Sequence, residues 1–206
     1  KYALFPVETR DDRTYATITM DFGTEKSLFN KGTVVDLTSY LLLRGSDKYS
    51  LQDIADKSID AGGAAYASAD GNGMTINIQS KTEKFDEFFE FVLEVMKNPK
   101  FEQSQFDLIK SQSLSSLDRP YTEPDVVAGL TLSRLVEEYQ PGDLRYHFEP
   151  ELAKKQLKDV TQEQVKELYQ HFFAMNHAQI AITGAFDAKK MKKLLNQEFG
   201  SWNSKQ

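Results

Sequence analysis

The stretch from Lys31 to Ser46 constrains the fold of this chain more than any other. It reads Lys-Gly-Thr-Val-Val-Asp-Leu-Thr-Ser-Tyr-Leu-Leu-Leu-Arg-Gly-Ser, with Gly32 and Gly45 near its two ends, where glycine relieves backbone strain. The side chains that share one widened helical face are Val34, Leu37, Tyr40, Leu41, Leu42, Leu43 and Arg44. This pattern predicts a mostly buried helix, which the elements on either side must cover.

Alternating apolar and polar residues predict strands around this helix. Residues 14–22 carry apolar side chains at alternate positions, as in a half-buried strand of an antiparallel sheet. Residues 64–69 and 74–80 predict a hairpin joined by the turn sequence Asp70-Gly-Asn-Gly73. The first strand of this hairpin is rich in alanine, and we expect it to lie close against a helix.

Helical spacing and cap residues predict several further helices. Ser50 with Asp53, and Thr161 with Gln164, have the spacing of capping boxes that open two of them. An aromatic stripe that begins at Phe85 follows helical spacing and is interpreted as core. The order strand, helix, helix, hairpin, several helices, strand and helix predicts an α+β fold, with an antiparallel sheet covered on one face by helices.

The bulk composition limits the classes of function. The chain has 206 residues, enough for one large domain or a compact pair, with 40% hydrophobic and 27% charged residues. A net charge of −6 and a pI near 5.2 argue against nucleic acid and against an anionic membrane surface as partners. No apolar run approaches the ~20 residues of a spanning helix. The absence of cysteine excludes disulfides and thiolate metal sites.

The central stretch resembles the motif helix of the insulinase/pitrilysin family of zinc metallopeptidases. In catalytic members that helix reads H-x-x-E-H, and a few apolar residues and a Gly-Thr or Gly-Ser pair follow it. Aligned on Gly45-Ser46, this chain has Asp36 for the first His, Ser39 for the Glu and Tyr40 for the second His. The apolar residues and the Gly-Ser pair of the motif are therefore present, but its two histidines and its glutamate are not.

Zinc hydrolysis needs two imidazoles one helical turn apart, with a Glu on the same face as general base. Ser39 cannot act as a base at neutral pH, and Tyr40, with an ordinary pKa of about 10, is a poor zinc ligand. Asp36 remains a possible oxygen ligand. The third family ligand is a Glu from a later helix, but residues 104–122 contain none. We therefore predict no catalytic residues and no metal site in this chain, with Asp36 and Ser39 as polar positions at a helix start and Tyr40 as a core aromatic.

The resemblance extends over nearly the whole chain. The matching pieces keep the family's order and spacing, and they are Gly23-Thr-Glu25, Arg44-Gly-Ser46, Ile54–Gly63, Asp118-Arg-Pro120, Thr161–Tyr169, Ile180–Gly184 and Phe199–Trp202. Family members are built from paired homologous domains that enclose a substrate chamber, and one half commonly lacks the zinc motif. The resemblance therefore implies that residues 1–206 form a single inactive peptidase domain, a fragment of a longer multidomain chain, as the start at Lys1 without an initiator Met also suggests.

The resemblance also implies a role for such a domain. We expect it to form part of a chamber wall, to bind extended peptide, for which a sheet edge is a suitable platform, and to support a catalytic sister domain. That sister domain, in the same chain or in a partner subunit, is expected to hold the zinc, so that the full-length protein is a zinc metalloendopeptidase acting on peptides or proteins. The matching motifs assign no substrate-binding residues.

Two other functions remain open at this point. One is an enzyme of different chemistry on the same fold, using Asp36 or His147, and it predicts a cleft with converging polar groups and perturbed acids. The other is a purely structural or assembly subunit of a larger complex, with extensive interfaces and no affinity for unstructured peptides. His171 and His177, six residues apart, have poor spacing for one metal ion.

Two acidic segments contain residue types that bind calcium or transfer protons, but their patterns favour structural roles. The sequence from Asp70 to Gly73 is similar to the start of a calcium loop, but it lacks the later bidentate Glu and is read as a turn. A carboxylate row on one predicted helix is read as a solvated face, and it comprises Asp86, Glu87, Glu90 and Glu94.

Overall fold

The computed structural model of the chain describes residues 1–70, 73–117, 124–136, 138–146, 148–175, 178–200 and 202. The strands are β1 Tyr2–Pro6, β2 Arg13–Asp21, β3 Ala64–Asp70, β4 Gly73–Lys81 and β5 Ala178–Gly184. The α-helices are α1 Gly32–Leu41, α2 Leu51–Asp60, α3 Phe85–Lys97, α4 Gln103–Leu117, α5 Pro124–Val136, α6 Pro150–Asp159, α7 Gln162–Phe172 and α8 Ala188–Phe199. The predicted motif Asp118-Arg-Pro120, His147, His177 and the middle of the hairpin turn lie outside the described residues.

The strands form one five-stranded sheet in the order β1-β5-β2-β4-β3. β2 pairs antiparallel with β4 and β5, and β3 pairs antiparallel with β4, which confirms the predicted hairpin strands. β1 departs from the predicted antiparallel arrangement, because it pairs parallel with β5 and makes the sheet mixed. These two strands come from opposite ends of the sequence, so no short turn imposes the antiparallel direction.

Helices cover one face of the sheet, as predicted for an α+β fold. Along β2 the side chains of Ala16, Ile18 and Met20 are each at most 2% exposed. Ile76 of β4 and Ile180 of β5 flank Ile18 in the neighbouring strands and extend the same apolar layer. The intervening positions of β2 are partly exposed, so the two faces of the sheet differ as a half-buried sheet requires.

The aromatic stripe of α3 lies in the core, as predicted. Phe85 and Phe89 are fully buried, and their rings stack with centroids 5.5 Å apart. Acidic side chains on the outer side of α3 form ion pairs with lysines: Asp86 with Lys190 at 2.6 Å, Glu87 with Lys57 at 3.3 Å and Glu94 with Lys48 at 2.8 Å. Such surface pairs contribute little stability, so the row is a solvated face rather than an acid–base site.

Both predicted capping boxes are present and fix where α2 and α7 begin. The Ser50 hydroxyl accepts a hydrogen bond from the Asp53 N–H at 3.2 Å, and the Thr161 hydroxyl accepts one from the Gln164 N–H at 3.3 Å. In each box the side chain of the later residue accepts a hydrogen bond in return from the N–H of the cap residue. These start signals are local, which is why the sequence alone locates them.

The central helix α1 is buried as predicted, although it is shorter than the apolar pattern. Leu37, Leu41 and Leu42 are at most 1% exposed, and α1 packs against β3, α4, α6 and α7. The helix ends at Leu41, and the chain then turns to reach Gly45, whose φ of +143° is a value that only glycine adopts readily. α1 therefore connects the sheet to the later helices.

Helix α5 contrasts with α1, because several of its apolar side chains point to solvent. The exposed ones are Val127, Leu132, Leu135 and Val136, at between 41% and 78% exposure. None of the helices in the described part of the chain is both long enough and apolar enough to span a bilayer.

Candidate functional site

A cleft of about 1080 Å³ opens along one side of α1. Its lining comes from α1, from the ends of β3 and β4 that face each other, from the C-terminal ends of α4 and α5, from α6, and from the segment 138–146 that follows α5. The cleft therefore joins parts of the chain that are distant in sequence. It contains part of the degenerate motif.

Two of the three motif positions face this cleft. Asp36 and Tyr40 stand one helical turn apart on α1 and both line it. Ser39 is 2% exposed, does not line the cleft, and donates its hydroxyl hydrogen to the carbonyl oxygen of Asp36 at 2.7 Å. The position that holds the general base in the catalytic motif is thus occupied by a buried hydroxyl bonded within its own helix.

The interpretation of Tyr40 as a core aromatic was wrong. The residue is 52% exposed. Leu37 and Leu41 occupy the buried side of α1, and each step along an α-helix turns the side chain by about 100°, which carries Tyr40 out of the core and into the cleft. Because the residues around Tyr40 are apolar, the face of α1 that was predicted to be buried is wider than the face that is buried in the structure.

The carboxyl group of Asp36 is perturbed by its place in the cleft. Asp36 is exposed at the open mouth of the cleft, yet partial desolvation by the protein around its carboxyl group raises the pKa of that group to about 6. Desolvation, and secondly the negative charge of Asp36, raise the pKa of the Tyr40 phenol above its ordinary value of 10.0. At neutral pH the pair is therefore a carboxylate beside a protonated phenol.

This donor set does not fit a zinc ion. Zinc in proteins is held by imidazole, thiolate or carboxylate groups, usually four ligands in tetrahedral arrangement or three with a bound water. The three motif positions supply one carboxylate, one protonated phenol and one hydroxyl that points away. Within the described ranges, no group of three or more His, Asp or Glu side chains is placed to hold a metal ion.

One wall of the cleft is fixed by an arginine. The Arg145 guanidinium forms ion pairs with Asp143 at 2.7 Å and with Glu25 at 2.6 Å, and it lies 4.1 Å from the centroid of the Tyr139 ring. Its hydrogen bonds lower the pKa of the Asp143 carboxyl group to about 2, so these charges persist at any moderate pH. These ion pairs therefore hold the segment around Arg145 against the loop that leads into α1.

No residue of this wall was predicted as a site residue from the sequence. Tyr139, Leu144 and Tyr146 all line the cleft, and the Tyr146 ring lies edge-on to that of Phe148 with centroids 4.8 Å apart. The signals that were available are the aromatic density of the segment and an acid two residues before an arginine. Neither indicates which other segment the wall will face, because that depends on long-range packing.

The sheet edge at β3 borders the same cleft. Ala69 lines it, and β3 has no strand on its outer side among the described residues. Ala65, Ala67 and Ala69 pack against the core under α1, which confirms the prediction that this alanine-rich strand lies close to a helix. An unpaired strand beside a groove offers backbone N–H and C=O groups to an extended segment.

Replacing Asp36 by Asn is expected to stabilise the chain at neutral pH. The folded pKa of about 6 exceeds the ordinary value of 3.8, so the ionisation of Asp36 costs no stability below about pH 4, an increasing amount up to about pH 6, and its full cost above that. Because the cleft is open and screening weakens the effect, the gain should be about 1 kcal/mol near pH 7.5.

Urea unfolding of both proteins, near pH 7.5 and near pH 4, measures this gain. Glu138→Gln removes another carboxylate of the cleft lining and serves as the control. A difference between wild type and Asp36→Asn that does not change with pH would contradict the expected desolvation of Asp36.

Comparison with known families agrees with the fold and the motif frame. The family model described as insulinase (peptidase family M16) matches residues 30–140, which is more than half of the chain. The model described as the peptidase M16 inactive domain matches residues 159–206. No curated protein sequence matches the chain significantly. The second match confirms the predicted relationship to an inactive peptidase domain.

Several solved structures share the fold. The peptidase M16 inactive domain from Pseudomonas fluorescens is 18% identical with a TM-score of 0.77, and the match covers 97% of this chain and 47% of that one. The periplasmic protease PqqL from Escherichia coli is 14% identical with a TM-score of 0.77, covering 100% of this chain and 23% of that one. A protease from Helicobacter pylori is 12% identical with a TM-score of 0.68, covering 100% and 48%.

This chain thus spans less than half the length of each of these three structures. At such low identities the likeness shows the fold alone. The sequence match from residue 30 to residue 140 is independent of it, and it includes the whole of α1 and the ends of α4 and α5 that line the cleft. On the strength of that match, the chain belongs to the insulinase family, peptidase family M16.

Proposed function

We propose that this chain is a non-catalytic domain of a zinc metallopeptidase, which binds extended peptide in the cleft beside α1 and supports a catalytic sister domain. The observation that carries the proposal is the junction of an unpaired sheet edge with a large cleft, at Ala69 of β3. In this proposal the chain forms part of a substrate chamber, the sister domain holds the zinc, and the whole protein is a metalloendopeptidase.

The dimensions and lining of the cleft suit a peptide. A volume of about 1080 Å³ is at the upper end of the roughly 300 to 1,000 Å³ that small-molecule pockets occupy. Backbone groups of β3 supply the hydrogen bonds of an added strand, and Tyr40, Tyr139 and Tyr146 supply ring surface for alternate side chains of the ligand.

The surface of α5 supports the second part of the proposal. One of its exposed apolar side chains, Val136, also lines the cleft. Contiguous apolar surface of this kind on a domain is typical of protein–protein contact. A neighbouring domain that covered α5 would also enclose the cleft, as a substrate chamber requires.

Exchanging Tyr40 for Ala tests the peptide-binding role. Two fluorescein-labelled nonapeptides serve as probes: three repeats of Leu-Arg-Ser, and the same sequence with neutral citrulline at each arginine. We expect Tyr40→Ala to weaken binding about tenfold in an anisotropy titration, because a contacting tyrosine at the centre of a binding site commonly contributes 1 to 2 kcal/mol. Tyr66→Ala is the matched control, since Tyr66 is similarly exposed but lies on the opposite face of β3 from Ala69.

Two outcomes would contradict the proposal. If neither peptide binds to the chain at millimolar concentration, the domain is a structural or assembly subunit rather than a peptide-binding one. If the purified chain alone holds stoichiometric zinc in elemental analysis and hydrolyses either peptide, the domain is catalytic.

A further inference from the structure

We propose that the cleft selects peptides that carry a basic side chain, arginine or lysine, and that Asp36 is the residue that selects them. This inference rests on the proposed peptide-binding function and adds the class of ligand. It follows from the balance of charges in the cleft and from the lack of a partner for one of them.

Among the residues that the structure describes, the charged side chains that line the cleft are Asp36, Glu138 and Arg145. The single cation among them is already neutralised, because Arg145 is paired with Asp143 and with Glu25. Two carboxylates are left to face an incoming ligand. The described part of the lining is therefore negative as well as aromatic, and it disfavours acidic peptides through repulsion of like charges.

Asp36 is the carboxylate without a partner. Its side chain forms no hydrogen bond or ion pair with any residue in the described part of the chain, and the bond from Ser39 reaches only its backbone carbonyl. Desolvation already opposes its charge, yet with a pKa of about 6 the group is mostly ionised at neutral pH. A charge that is partly desolvated and unpaired is relieved most by a cation that enters the same space.

The side chains near Asp36 favour an arginine of the ligand in particular, both its carbon chain and its guanidinium group. Tyr40, one turn along the same helix, presents a half-exposed ring beside Asp36, and Tyr146 lines the same cleft. Guanidinium groups stack on such rings, and the carbon stem covers apolar surface while the charged head reaches a carboxylate. A metal ion is the weaker alternative, since the described residues provide no third ligand.

The two nonapeptides and one isosteric substitution test this inference. Wild type should bind the arginine peptide about tenfold more tightly than the citrulline peptide, as expected for a charge-assisted hydrogen bond. In Asp36→Asn the ratio should fall to about twofold, the remainder being long-range attraction to a protein of net charge −6. Glu90→Gln is the matched control and should keep the preference, because Glu90 is an exposed carboxylate of α3 that does not line the cleft.

The outcomes distinguish a failure of this inference from a failure of the proposed peptide-binding function. If wild type binds both peptides equally, or if Asp36→Asn keeps the full preference, selection by Asp36 is wrong while peptide binding stands. If neither peptide binds, the proposed function itself fails. Wild type alone gives a second measurement, because the arginine preference should shrink between about 50 mM and about 500 mM salt, and a preference that does not change with salt would overturn the charge pairing.

Discussion

Replacing Ala69 by Phe should remove detectable peptide binding while the domain stays folded. Ala69 is the last alanine of β3 before the hairpin turn, it lines the cleft that Asp36 and Tyr40 also line, and its side chain is only partly buried where it packs against the core. A phenyl ring at this position fills the space beside the strand edge and obstructs both the groove and the backbone groups of β3. We expect a loss of at least about 100-fold, because a steric block removes several contacts together.

Ser68→Phe is the control for this substitution. Ser68 is adjacent in sequence but exposed on the opposite face of the strand, since successive side chains of a strand alternate. The measurement is the anisotropy titration with both nonapeptides, accompanied by circular dichroism to establish that each variant is folded. Normal binding by Ala69→Phe would show that peptides do not use this cleft.

Replacing Gly184 by Ala should cause the largest loss of stability among the substitutions considered. Gly184 ends β5 with a φ of +140°, and a Cβ atom there would lie 2.4 Å from the Thr14 hydroxyl oxygen and 2.6 Å from the Thr14 Cα. Thr14 is fully buried in the adjacent strand and cannot move aside cheaply. Backbone strain and overpacking together should cost about 3 kcal/mol.

Gly129→Ala provides the matched control, because it adds the same methyl group where nothing lies within 4 Å. Gly129 is inside α5, so alanine there should stabilise the helix by about 0.5 to 1 kcal/mol. Urea and thermal unfolding measure both changes, and for a chain of this size the loss at Gly184 corresponds to a melting temperature lower by roughly 6 to 12 °C. Equal stability of the two variants would be inconsistent with the close approach of β5 to β2.

The elements that local chemistry determines were predictable from the sequence. The capping boxes at Ser50 and Thr161 depend on residues three positions apart. The aromatic stripe of α3 depends only on helical spacing. The parallel pairing of β1 with β5 was not predictable, because it joins residues about 180 positions apart and no local signal sets its direction.

For the candidate site, the sequence supports a prediction about chemistry but not about shape. The residue types at Asp36, Ser39 and Tyr40 were sufficient to argue against zinc hydrolysis. Their orientation was not, since the apolar pattern placed Tyr40 in the core while the structure places it in the cleft. The opposite wall depends on how Arg145 joins two segments 120 residues apart, a contact that a single sequence does not reveal.

The position of β5 has a consequence for biosynthesis. It is the last strand in the sequence, yet it lies between β1 and β2, which are the first two. At about 5 to 20 residues per second, a ribosome needs on the order of 10 to 40 seconds to synthesise the chain from β1 to β5. During that interval β1 lacks its neighbour and one side of β2 stays unpaired, so the nascent chain carries exposed strand edges that invite aggregation until β5 is inserted.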